Sequence, residues 1–277
     1  MIKKHIHIVI LTIFLSFVLA SCEKVIHLDL NSADTRIVIE GNITPDAGPY
    51  EVVITTSGDY YTAEGIMPIT GAQVIISDDI GNYDTLTEKS DGIYLTNNIV
   101  GESDRTYSLD VVYKGNSFSG SELLPVKVTI DSLSYEEIPK NAGPPPEEPE
   151  NKIYNIFCSF NDPEETEDYY RFTVLRNGEE DPNRRGGSYN VASDQLFNGQ
   201  TVKYAIWYVE AAPQDTITII MDAIGFNTYE YFRTLNDALS SGGMGGTPYN
   251  PITNLSNDAL GYFGAYTRDR SSIVLEE

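Results

Sequence analysis
Histidine is almost missing from this chain: three residues in 277, of which His5 and His7 stand in the first ten and only His27 lies further on. A Ser–His or Cys–His pair needs imidazole as its proton carrier, and a His-rich metal centre needs several such rings. Both chemistries have almost no material here. Cysteine is scarcer still, with Cys22 and Cys158 alone. If Cys22 carries a lipid, Cys158 has no partner and no internal disulfide can form. Cys158 lies in the strand-like run Ile153-Tyr-Asn-Ile-Phe-Cys-Ser-Phe160 and is expected to be a small core residue. Basic side chains number 18 against 41 acidic ones, a formal charge of −23. A field of that sign repels nucleic acid and anionic head groups and keeps a crowded protein soluble. There is no Asp-x-Asp-x-Asp-Gly loop, so Asp78-Asp79 and Glu164-Glu165 are the only weak pointers to Ca²⁺. The glycine cluster at 242–246 is followed by no Lys-Ser/Thr pair, which excludes a phosphate loop.

Long apolar runs are absent as well, and the longest one present is informative. It spans residues 8–19, follows Lys3 and Lys4, and ends in Leu19-Ala-Ser-Cys22. A membrane-spanning helix takes roughly 20 apolar residues, so this run is too short to cross and reads as a signal peptide. Small residues before a cysteine fit a lipoprotein cleavage site, with the Cys22 thiol taking the acyl chains. One chain binds a bilayer only marginally, whereas a multiply acylated cysteine anchors firmly without any spanning helix. Residues 1–21 are therefore expected to be a lipoprotein signal peptide and 22–34 a lipidated tether. Removing 1–21 takes away two lysines and no acid, leaving 16 basic side chains against 41 acidic and a charge of −25.

The remainder reads as mainly β. Strand-like runs recur at roughly ten-residue intervals between Gly, Asn, Asp and Pro, the pattern of sandwiches and barrels. The first set covers 35–44, 50–56, 72–77, 93–96, 106–113 and 117–123. Tyr107, Leu109 and Val111 share one face of the fifth. These predict an immunoglobulin-like sandwich over 35–124. Pro125 marks a boundary to a second β-rich domain over 125–277. Its strands are expected at 126–138, 152–160, 169–176, 201–209, 216–221 and 272–276. The Pro/Glu-rich stretch 139–151 is expected to be an exposed loop joining two strands, since both flanks carry strand patterning. One amphipathic helix is predicted near 227–240, capped by Asn227 or Thr228, with Tyr231, Leu235 and Leu239 on one face and glycines at its end.

The chain resembles a family at Cys22-Glu-Lys-Val-Ile-His-Leu-Asp-Leu30, Ile37-Val-Ile-Glu-Gly-Asn-Ile-Thr44, Gly71-Ala-Gln-Val-Ile-Ile-Ser-Asp78, Gly92-Ile-Tyr94, Arg105-Thr-Tyr-Ser-Leu109 and Asp131-Ser-Leu133. The most specific stretch is Asn250-Pro-Ile-Thr-Asn-Leu-Ser-Asn-Asp-Ala-Leu-Gly-Tyr-Phe-Gly-Ala-Tyr266. The family is the group of Bacteroidota outer-membrane lipoproteins known as domain of unknown function 4249. The resemblance implies an immunoglobulin-like domain similar to carboxypeptidase-regulatory modules, then a second β-rich domain. It also implies genes beside TonB-dependent receptors, hence an accessory role in uptake. The family supplies no catalytic residues to carry over.

Taken together, these observations favour a non-enzymatic binding or docking partner of a TonB-dependent receptor, tied to the bilayer through acylated Cys22. No cofactor, metal or nucleic acid is expected. Either the periplasmic face or the cell surface suits the anchor. A structural subunit, fimbrial or adhesive, is the alternative. A carbohydrate-active enzyme built on acids such as Glu179-Glu180 ranks lower, because adjacency in sequence says nothing of the spacing two catalytic carboxylates need. Tyrosine is plentiful, 19 residues, and Trp207 is the single tryptophan. Candidate partner contacts are Tyr249, Tyr262 and Tyr266, in a glycine-punctuated stretch without regular periodicity. Tyr262 and Phe263 would face opposite sides of an extended chain, with Phe263 inward and Tyr262 at the surface.

Overall fold
Alternation along the strands sets the architecture. In a computed structural model, residues 35–58, 65–180, 189–243 and 249–276 are described, and all fall within one compact unit, Asp34–Glu277. Residues 1–34, with the expected signal peptide, Cys22 and tether, lie outside the described residues. The fold is mainly β, with stacked sheets and one α-helix among the described residues, as the turn spacing predicts.

Eight strands precede Pro125: β1 (Ile37–Ile43), β2 (Glu51–Thr56), β3 (Gln73–Asp78), β4 (Tyr83–Thr85), β5 (Thr87–Ser90), β6 (Ile93–Leu95), β7 (Arg105–Tyr113) and β8 (Asn116–Leu124). After it come β9 (Ile130–Glu137), β10 (Lys152–Asn161), β11 (Tyr169–Arg176), β12 (Glu179–Glu180), β13 (Asn190–Ser193), β14 (Thr201–Ala211), β15 (Thr216–Ile224), the helix α1 (Phe226–Gly243) and β16 (Leu260–Val274). They form one nine-stranded sheet, ordered β12-β11-β15-β16-β1-β2-β6-β5 with β13 also on β11. A four-stranded sheet β4-β3-β7-β8 and a three-stranded sheet β14-β10-β9 complete the set. Segment 139–151 joins β9 to β10, which pair antiparallel from Tyr154–Glu137 onward. It is a loop between neighbouring strands.

The two small sheets cover one face of the large sheet and give two cores. In the first, Ile39, Ile43, Val52 and Ile54 meet Val74, Ile76, Leu109 and Val111. In the second, Tyr170, Phe172, Ile217 and Ile219 meet Ile156, Cys158, Phe160 and Ile206. Cys158 is a fully buried free thiol, pushed up to about 12 by burial, and so an inert core residue as expected. The cores lie either side of Pro125 in sequence with one exception. Leu255, Ala259, Phe263 and Ala265, from the last thirty residues, complete the first core.

That exception is β16, of which the sequence reading foresees only 272–276. Its first half pairs parallel with β1, from Val38–Leu260 to Ile43–Ala265. Its second half pairs antiparallel with β15, from Ile224–Tyr266 to Thr216–Val274. One strand thus carries the sheet from one core to the other. Gly261 and Gly264, which suggest a loop in sequence, are instead places where other groups come too close for a side chain. A Cβ on Gly261 would lie 2.1 Å from the Ile39 carbonyl oxygen, and one on Gly264 would lie 2.7 Å from Asn42 Oδ1.

The helix is where predicted, but its buried stripe is not Tyr231, Leu235 and Leu239. Thr228, Phe232 and Thr234 are buried, while Leu239 is 53% exposed. Nor is Asn227 or Thr228 its cap, since the helix begins at Phe226 and both lie inside its first turn. Glu122, from β8, accepts hydrogen bonds from the Thr228 backbone N–H (2.8 Å) and the Thr228 hydroxyl (2.9 Å). Gly225 leaves room for this carboxylate, since a Cβ there would lie 2.3 Å from it. A carboxylate at a helix N-terminus satisfies orphan donors and complements the dipole. Burial nevertheless raises the Glu122 pKa above its ordinary 4.5, because the hydrogen bonds do not offset the loss of water. The folded state then holds that proton more tightly than the unfolded chain. The resulting stability is present below about pH 4.5 and lost as pH rises through the raised value. Glu122→Gln should flatten this part of the pH–stability curve and melt no lower than the parent at pH 8. Glu122→Ala, which removes the acceptor, should lose about 1–2 kcal/mol at either pH. Parallel thermal melts of the two variants at pH 4 and pH 8 check both statements.

Candidate functional site
The face of the large sheet turned away from the small sheets is only partly covered, by α1. Between the helix and the sheet lies an open cleft of 610 Å³, within the range of small-ligand sites. Its floor follows from strand alternation. The side chains of Ile39, Phe172, Ile219 and Phe263 point into the cores, so Glu40, Arg171, Ile220 and Tyr262 face the cleft.

Three charged residues meet in this layer. Arg171 of β11 lies directly opposite Asp222 of β15, and Asp222 lies directly opposite Arg268 of β16. Directly opposed residues on neighbouring strands bring their side chains together. Asp222 has no exposed surface and is held on both sides. Arg268 donates Nε–H to Oδ1 at 2.7 Å and an Nη2 hydrogen to Oδ2 at 3.0 Å. Arg171 donates from Nη2 to Oδ2 at 2.8 Å. For Arg171, burial opposes the charge but the Asp222 carboxylate outweighs it, so the pKa rises. For Arg268, the hydrogen bonds to Asp222 raise it against a smaller effect of burial. Both guanidiniums therefore stay charged, and the row carries one positive charge more than Asp222 neutralises.

Aromatic rings surround that charge. The Arg171 guanidinium sits 4.8 Å from the centroid of Phe232 and 5.4 Å from that of Tyr266, and Arg268 sits 5.0 Å from Tyr266. Such contacts stabilise a cation through the ring quadrupole. Tyr231 and Tyr262 pack at 4.6 Å between centroids, and Tyr262 meets Phe232 at 5.2 Å. Burial pushes the Tyr231 hydroxyl up to about 12, so it remains a neutral donor and acceptor. Two buried polar atoms of the cleft lining have no hydrogen-bond partner, Arg171 Nε and Asn42 Oδ1.

The three tyrosines singled out from sequence do not form one patch. Phe263 is fully buried and Tyr262 is on the other face, as expected, but Tyr262 is only 9% exposed because α1 lies over it. This corrects the expectation of a surface Tyr262: the helix supplies the cover. Tyr262 lines the cleft, Tyr266 stacks against the arginines, and Tyr249 is exposed and lines no part of the cleft. Trp207 is also exposed, at an irregularity of β14 where Tyr208 has φ of 61°. Glu180 borders the cleft, and Glu179 faces solvent beside it.

Arg171, Asp222 and Arg268 were missed. A visible signal existed, because Arg171 and Asp222 each interrupt an otherwise apolar or aromatic strand run. Of the carboxylates flagged for Ca²⁺, Glu164 and Glu165 are exposed, and the other two have partners. Asp78 and Asp79 bind Arg105, and Asp78 also accepts from the Asn82 backbone N–H at 2.8 Å. The acid group best placed for a cation is a different one, Asp162, Asp168 and Asp194, with ligand oxygens within 4.8 Å of one another. Each member has a hydrogen-bonding role without an ion. Asp162 accepts from the Tyr170 hydroxyl (2.6 Å), Asp168 from the Thr166 hydroxyl (2.6 Å) and Asp194 from the Asp168 backbone N–H (2.8 Å). Burial raises the pKa of Asp168 and Asp194, with their acidic neighbours adding to the shift.

A family model described as a domain of unknown function (DUF4249) matches residues 23–272. That span includes every cleft residue discussed here. No curated protein matches the chain.

Proposed function
The chain belongs to the family described as a domain of unknown function (DUF4249), and from that premise we propose that it is a lipid-anchored binding protein of the outer membrane, an accessory to a TonB-dependent receptor rather than an enzyme. The cleft beside α1 carries the reading. It is of small-ligand size, rests on a sheet and is lined by two residues, Arg171 and Asn42, that each carry a buried polar atom without a protein partner. Its strongest charges are locked in mutual ion pairs, an arrangement suited to holding a ligand rather than to moving protons. The anchor reading is supported by Lys3-Lys4, the apolar run and Leu19-Ala-Ser-Cys22. Among the described residues, no helix is long and apolar enough to cross a membrane. The receptor partner is supported by the resemblance alone.

One fractionation experiment tests anchor and partner together. Wild-type protein should pellet with outer membranes through a high-salt wash and co-purify with a TonB-dependent receptor after gentle solubilisation. Cys22→Ser should appear in the soluble fraction, since the multiply acylated Cys22 is the only strong attachment proposed. Continued pelleting of that variant would refute the anchor. A self-polymer ladder in place of a receptor would support the structural-subunit alternative.

A further inference from the structure
Arg171 presents an unusual combination. Its guanidinium has aromatic rings against it, Phe232 and Tyr266, and among the described residues a single acceptor, Asp222. The Nε–H is buried without any acceptor. A buried donor left unsatisfied is costly, more so when charged, and such a donor points to an acceptor supplied from outside the chain. Arg171 lines the cleft, and so does Asn42, whose amide oxygen is also buried without a partner.

The charges narrow the ligand. The floor has an excess positive charge at Arg171–Asp222–Arg268, while exposed Glu40, Glu51 and Glu180 stand around the lining. A purely anionic ligand meets repulsion at the glutamates. A purely cationic ligand meets it at the floor. A molecule with a carboxylate for the arginine and an amine for the glutamates satisfies both, and guanidinium–carboxylate hydrogen bonds are among the strongest available. Tyr231 and Tyr262 add a face for apolar groups between them.

We propose that the cleft binds a zwitterionic ligand of the short-peptide class, its carboxylate on the unpartnered edge of Arg171 and its amino group toward Glu40 and Glu51. This rests on the reading of the cleft as a binding site, but not on the receptor. Three randomised tripeptide libraries serve as probes: free at both ends, amidated at the C-terminus, and acetylated at the N-terminus. Each is titrated into the full-length protein in detergent, followed by thermal shift and ligand-observed NMR. The free library should bind. C-terminal amidation should weaken binding at least tenfold and N-terminal acetylation several-fold.

Arg171→Lys keeps the charge beside Asp222 but lacks the planar Nε–H, and should lose at least tenfold in affinity for the free library while still folding. Glu40→Gln with Glu51→Gln should weaken the free library and leave the acetylated one unchanged. No binding of the free library at 10 mM overturns the proposal, as does equal binding of the amidated library or an unaltered Arg171→Lys. Those outcomes, combined with intact receptor capture, would remove the peptide ligand and leave the accessory role standing. Loss of receptor capture alone would do the reverse.

Discussion

Gly261→Ala should cost more than about 4 kcal/mol, a loss reserved for the few mechanisms that strike a packed interior and comparable to the whole margin of a domain. The added Cβ would lie 2.1 Å from the oxygen, 2.9 Å from the carbon and 3.2 Å from the nitrogen of Ile39. All three atoms are backbone, so no rotamer change can give way. Residue 261 also has φ of 90°, where an L side chain is strained by about 1–3 kcal/mol. The damage falls at the one pairing, β1 with β16, that joins β5-β6-β2-β1 to β16-β15-β11 in the large sheet. A midpoint drop of about 8–16 °C is expected from the usual scaling for a chain of this size. Gly115→Ala is the control. It has φ of 82° and nothing within 4 Å of its would-be Cβ, so it isolates backbone strain from contact. Equal losses in the two variants would show that the close approach to Ile39 is not what demands glycine.

The same glycine explains where reading from sequence stops. Period-two alternation is a local signal, and it locates strands such as 169–176 and 106–113 to within a residue, because both rest on a core that their own side chains announce. The strand-patterned flanks of 139–151 likewise identify a loop between paired strands. In β16 the signal fails. Gly261 and Gly264 stand where the strand meets β1 and α1, and Arg268, Asp269 and Arg270 replace the apolar residues that mark a strand. The reasons lie in distant partners, Ile39 and Asn42 more than 200 residues before the glycines and Asp222 46 residues before Arg268, and a window of ten residues contains none of them. The helix cap is a similar case: Glu122 lies 106 residues before Thr228. The short strands β4, β5, β12 and β13 have too few residues to alternate at all. The cleft was half legible. Tyr262 and Phe263 were separable by parity alone, but only the tertiary placement of α1 puts Tyr262 under cover. The row Arg171–Asp222–Arg268 depends on register across three strands, which single-strand patterning does not fix.

That row supports the second large effect. Removing Asp222 should cost up to about 3–5 kcal/mol, because truncation leaves the largely buried Arg171 guanidinium, and the partly exposed Arg268 beside it, without their carboxylate. The order of the charges makes a sharper statement. In a row of plus, minus, plus, deleting either flank leaves a neutral pair, whereas deleting the centre leaves two like charges side by side. Asp222→Ala should therefore be markedly less stable than Arg171→Met or Arg268→Met. Of the flanks, Arg268→Met should cost more, since Arg268 makes two hydrogen bonds to Asp222 and Arg171 makes one. Replacing all three by Met, Leu and Met should recover most of the loss, as apolar substitutes for buried ion pairs often equal or exceed them in stability. The triple variant then separates folding from binding: it should melt near the parent and no longer hold a carboxylate. Chemical denaturation of the five proteins, with unchanged dependence on denaturant as the sign of an intact fold, gives the ranking. Asp222→Ala matching the arginine variants would mean that water or a shifted backbone screens the two cations from each other. Both guanidiniums would still be charged, but the same screening would weaken the field at the cleft floor on which carboxylate recognition depends.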